Sequence, residues 1–180
     1  MRRNAIRIGF FCALIAATGA ASAAGAASAA GADCAAEAAI GADGATAALF
    51  FGAEGPWSAG FRVGWGFELA DLRWDDKTFS GALRYRFLRG ERAGAWAGAE
   101  LGIAEIETGY DRYALPFAGA SAGSSLRVAG GVLLFAEAGA RFGRADRKAE
   151  ERIDFLLVRY RETVFIDPLI LRFGVSWTPR

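Results

Sequence analysis

Hydrophobic residues recur at every second position along most of this chain. From Trp57 to Ala70 the odd positions are Trp57, Ala59, Phe61, Val63, Trp65, Phe67 and Leu69, all apolar. The even positions are Ser58, Gly60, Arg62, Gly64, Gly66, Glu68 and Ala70, all small or charged. A helix repeats its faces every 3.6 residues and cannot give this order. A strand can, because successive side chains point to opposite faces. The alternation returns in Phe79–Phe87, where Tyr85 and Phe87 alternate with Arg84 and Arg86, and in Ala95–Ile103, where Glu100 is on the polar side and Trp96 breaks the rule. It returns in Val132–Phe142, with Glu137 and Arg141 between apolar residues, and in Leu156–Arg161, with Tyr160 between Arg159 and Arg161. The last such segment is Leu169–Trp177, with Phe173 and Trp177 on one face and Arg172 on the other.

Two further segments are weaker. Thr46–Ala53 is apolar on both faces, and Leu115–Val128 is rich in Gly, Ala and Ser. Pro116 should mark a strand start or a bulge there, because proline cannot donate to a ladder. Counting both gives eight strands. The connections run short, long, short from Gly55-Pro56 through 71–77, 89–92, 105–113, 129–131 and 144–152 to Asp167-Pro168. Neighbouring antiparallel strands with all short turns at one end produce that rhythm.

Period two does not say which face is covered. In a soluble barrel the apolar face lines the lumen, whereas in a membrane barrel it meets lipid and the polar face lines the lumen. Three features favour the second. The polar face is crowded with Gly, which makes room for large residues in a narrow eight-stranded interior and only weakens a solvent-facing strand. Its charged members are Arg and Glu: Arg62, Arg84, Arg86, Arg141, Arg159, Arg161 and Arg172 with Glu68, Glu100 and Glu137. Arg makes bidentate pairs and is more easily desolvated than Lys, which suits a confined lumen. The apolar face carries Trp57, Phe61, Trp65, Phe67, Tyr85, Phe87, Tyr160, Phe173 and Trp177, many near strand ends, where interfacial aromatic girdles form. The predicted fold is therefore all-β: an eight-stranded antiparallel up-and-down transmembrane β-barrel over residues 46–180, after a cleavable signal peptide. A soluble barrel and a β-sandwich are the alternatives.

The N-terminal stretch predicts export. Arg2, Arg3 and Arg7 precede an apolar run from Ile8 to Ala17, followed by Ala21-Ser22-Ala23 and Ala27-Ser28-Ala29. A basic region, a short apolar region and an A-x-A site describe a signal peptide over 1–23, and the run is too short to span a membrane as a helix. Residues 24–45, nearly all Ala and Gly, read as a low-complexity linker. Cys34 within it is read as an unpaired thiol, since Asp33 spoils a lipidation site.

Composition narrows the chemistry. The 180 residues are 53% apolar with a formal charge of +1, which leaves no basic footprint for nucleic acid. Of 21 basic residues only Lys77 and Lys148 are lysine. There is no His, which removes the commonest catalytic base and metal ligand. Asp71, Asp75, Asp76, Asp111 and Asp146 read as solvated loop carboxylates rather than a Ca²⁺ site. No catalytic, cofactor or metal residues are assigned, and no enzyme activity is expected.

This pattern resembles the family of small eight-stranded outer-membrane barrels that includes the OmpA transmembrane domain and OmpX. The last strand, Leu169 to Trp177, resembles the C-terminal assembly signal of such proteins, with Thr178-Pro179-Arg180 after its aromatic as a departure. The resemblance implies a cell outer-membrane location, lipid as surroundings and the barrel-assembly machinery as a partner during biogenesis. The expected function is structural or surface-interacting, with the lumen plugged by Arg/Glu pairs. A narrow anion-preferring channel and a soluble periplasmic lipocalin-like carrier are the alternatives.

Overall fold

The structure is a computed structural model that describes residues 33–42, 44–66, 77–108, 111–153, 156–166 and 168–178. The predicted signal peptide, Phe67 and Glu68 lie outside the described residues. All described regular structure is β: β1 (Cys34–Gly41), β2 (Gly44–Phe51), β3 (Trp57–Trp65), β4 (Lys77–Arg89), β5 (Ala93–Thr108), β6 (Asp111–Ala129), β7 (Val132–Phe142), β8 (Arg144–Ile153), β9 (Leu156–Phe165) and β10 (Leu169–Trp177).

Eight of these strands close into one antiparallel barrel in the order β1-β10-β7-β6-β5-β4-β3-β2. Closure removes both sheet edges, so every wall strand has two ladder partners. The barrel closes where β1 meets β10, with Ala36 opposite Trp177 and Gly41 opposite Arg172.

Two predicted memberships change places. Residues 34–41, read as part of a linker, form β1 and pair with β2 and β10. The Leu156–Arg161 segment, read as a wall strand, belongs to β9, which pairs only with β8 in a separate two-stranded sheet. Arg159, Arg161 and Tyr160 are therefore not residues of the barrel wall, which corrects their expected lumen and girdle roles. The period of β9 is real, but its ladder partner is the highly charged Arg144–Ile153 segment, whose charges hide it as a strand. The β8–β9 hairpin is inserted between β7 and β10, which pair directly with each other from Leu169↔Ala140 to Trp177↔Val132.

The two ends of the barrel differ. At one end lie the connections 52–56, 90–92 and 130–131, together with the start of β1 and the end of β10. The Gly130-Gly131 connection is two residues long and Gly130 has φ +46°, the left-handed conformation that a tight hairpin requires and glycine tolerates. Bulges in β4 between Arg86 and Leu88 and in β6 between Arg127 and Ala129 sit at this same rim. At the other end, β5 and β6 run on as a hairpin to Thr108↔Asp111, in place of the long 105–113 loop that the pattern predicts. Pro116 is inside β6, not at its start. It lies opposite Ile103 of β5 and beyond the β6–β7 ladder, which begins at Ala118↔Phe142. The sheet has one neighbour there, so a missing N–H is tolerated.

Candidate functional site

The interior is built from register. Several wall strands carry a long charged residue on the inward face among small ones, and closure sets most of these charges beside small neighbours. Arg62 lies between Ala48 and Ser80, Arg84 between Ser58 and Gly98, and Glu100 between Ala82 and Gly119. Glu137 lies between Gly123 and Arg172. The glycines are needed as space: a Cβ on Gly98 would stand 3.2 Å from Arg84 Cγ, and one on Gly119 would stand 2.9 Å from Glu100 Cγ.

Three arginines and three glutamates from six different strands meet in this space. Arg62 (β3) donates to Glu100 (β5) at 3.0 Å and to both oxygens of Glu137 (β7), at 3.4 and 2.9 Å. Arg84 (β4) donates to Glu37 (β1) at 2.6 Å and to Glu137 at 3.4 Å. Arg172 (β10) lies 3.6 Å from both Glu100 and Glu137. The Ser121 hydroxyl donates to Glu137 at 2.7 Å, so one carboxylate is shared by three guanidinium groups and a hydroxyl. β2 contributes a ring instead of a charge: the Arg84 guanidinium carbon lies 4.0 Å from the Phe50 centroid and 4.8 Å from that of Trp96. All six charged side chains are buried. Such pairs add little net stability over an apolar core, because desolvation offsets attraction, but losing one partner strands the others.

The expected lumen residues divide as follows. Arg62, Arg84, Glu100, Glu137 and Arg172 come together. Arg141 is buried toward the long-loop end, 5.7 Å from the Phe117 ring centroid. Arg86 is half-buried at the short-turn end. Glu37 and Trp96 also belong to the interior, where the sequence pattern does not place them. Glu37 sits among alanines that give no alternation to read, and Trp96 stands as an exception on a polar face. Space for its indole is left by Gly123, where a Cβ would approach Cε2 to 2.6 Å.

The outward face is apolar. Phe61 is 70% exposed while its neighbour Arg62 is 4% exposed. Leu83, Leu101, Ile103, Leu134, Phe142 and Phe173 are exposed likewise. Trp57, Tyr85 and Phe87 gather at the short-turn end, with Trp57 and Tyr85 centroids 4.8 Å apart. Trp177 also ends its strand there and packs against Cys34 and Ala36. Trp65 marks the other end of β3, whereas Phe61 and Phe173 are mid-strand rather than at the rim.

Two solved structures are similar to this chain. A major outer membrane protein from Thermus thermophilus shares 13% identity at a TM-score of 0.48, over 82% of this chain and 98% of that one. Neisserial surface protein A shares 17% identity at a TM-score of 0.44, over 81% of this chain and 93% of that one. No family model matches the sequence, and no curated protein does.

Proposed function

We propose that the chain is an outer-membrane β-barrel with a structural or surface-interaction role, whose lumen is closed by its Arg/Glu network. The observation that carries this reading is the inversion of the two faces at Phe61 and Arg62. A soluble barrel has no use for a continuous belt of exposed Phe and Leu, because large apolar patches drive association in water. A hydrocarbon surround makes the same belt favourable and sends charge to the axis. The lengths agree: β3 and β10 have nine residues and β7 has eleven, close to the 9–11 that cross the bilayer core when tilted. The short turns then face the periplasm and the β5–β6 and β8–β9 hairpins face outward, offering surface to partners. A soluble carrier would need the opposite orientation. Export by the residue 1–23 signal and insertion by the assembly machinery belong to the same proposal.

The test is gel migration with and without boiling, together with alkaline extraction of membranes. The unboiled protein is expected to migrate as a compact species and to stay with the membrane. Identical migration and release into the soluble fraction would defeat the reading. Planar-bilayer recordings are expected to show no steady conductance, and discrete openings would replace the closed lumen with the channel alternative.

A further inference from the structure

The central ion pairs leave a second polar feature unexplained. At the short-turn end the lumen opens into a cavity of about 380 Å³. Five arginines line it, Arg84, Arg86, Arg89, Arg92 and Arg127, against three glutamates, Glu37, Glu54 and Glu91. Arg84 and Glu37 offset each other's charge, so the remainder is positive. Two buried donors on its lining have no acceptor among the described residues: Trp96 Nε1 and Arg127 Nε. Arg86, half-buried beside them, has no carboxylate within ion-pair distance among the described residues. Buried donors left open are costly, and an excess of guanidinium groups with open N–H donors is the chemistry that receives oxyanions. One acceptor is also open, Glu37 Oε2. It is suited to a ligand that keeps a hydroxyl beside its anionic oxygens.

We infer that this mouth is a binding site for a hydrogen-phosphate-type oxyanion, taken either as free phosphate or as a phosphate ester headgroup. Trp96 and Arg127 donate to its oxygens, Arg86 supplies charge, and Glu37 accepts from a hydroxyl, the P–OH of free hydrogen phosphate or an alcohol hydroxyl of the ester. The site adjoins the central pairs through Arg84 and Glu37, which belong to both, and does not depend on conduction.

The experiment is calorimetric titration at pH 7 of the full chain, folded in a nonionic sugar detergent that brings no phosphate. Inorganic phosphate and glycerol 3-phosphate are the probes. Binding by at least one is expected; tighter binding of the ester identifies a headgroup, and tighter binding of the free ion identifies phosphate. Sulfate, which has no hydroxyl at this pH, should bind about tenfold more weakly. Arg86→Gln and Arg127→Gln should each weaken phosphate binding about tenfold, while Arg144→Gln, on the exposed hairpin at the far end, should not. Neither arginine joins the central pairs, and the gel shift on boiling reports that each variant is folded. If one variant fails that check, the other decides. Absence of binding by both probes, equal binding of sulfate, or equal weakening by Arg144→Gln would each overturn the site.

Discussion

Arg62 and Glu137 are 75 positions apart in the chain, yet Nη2 of one lies 2.9 Å from Oε2 of the other across the barrel axis. Their strands, β3 and β7, are not neighbours in the sheet. The contact therefore reports closure, not ladder pairing, and it makes Glu137 the hub of the interior.

Glu137→Ala should leave Arg62, Arg84 and Arg172 together in a buried space without the carboxylate they share. The expected loss is about 3–5 kcal/mol, read as a lower denaturant midpoint for the folded barrel in detergent. An unchanged midpoint would show that the pairs are dispensable.

Gly123→Val should be destabilising by overpacking, since Trp96 occupies the space that the new side chain needs. The cost should be roughly 1–3 kcal/mol. Adding Trp96→Ala to it should recover part of that loss, because residues in contact do not act additively. Strictly additive effects of the two substitutions would mean that the indole does not fill this gap.

Phe61→Arg probes the outward face at the middle of β3. In a lipid-facing wall it should cost roughly 2–4 kcal/mol near the midplane, and Trp57→Arg, at the strand end, roughly 0–1. Unfolding titrations in lipid vesicles measure both. Equal, small effects at the two positions would point to water outside the barrel.

Replacing residues 144–165 with a short Gly-Ser connection should leave the barrel folded, because β8 and β9 pair only with each other and β7 pairs directly with β10. The shortened chain should keep its mobility shift on boiling. Loss of the shift would show that the hairpin is part of the folding unit.

The strands that carry both large apolar and charged residues were legible from sequence. In β3 the pair Phe61 and Arg62 announces two unlike faces, and this is a local property: neighbours along a strand point opposite ways whatever the rest of the chain does. The choice of face also followed from local chemistry, since Gly and Arg without Lys suit a cramped interior. β1 was not legible. Its alanines satisfy either face, so only the need of β10 for a partner reveals it as a strand. Conversely, Tyr160 sits in a convincing alternation whose strand pairs outside the wall.

What the chain determined by itself is thus the β period, the unlike faces and which of them holds charge. The tertiary structure alone decided which eight segments close the ring and which glutamate each arginine meets. Alternation depends on residues two positions apart, whereas contacts across the lumen depend on the register of every strand between them. That register exists only once the barrel is closed.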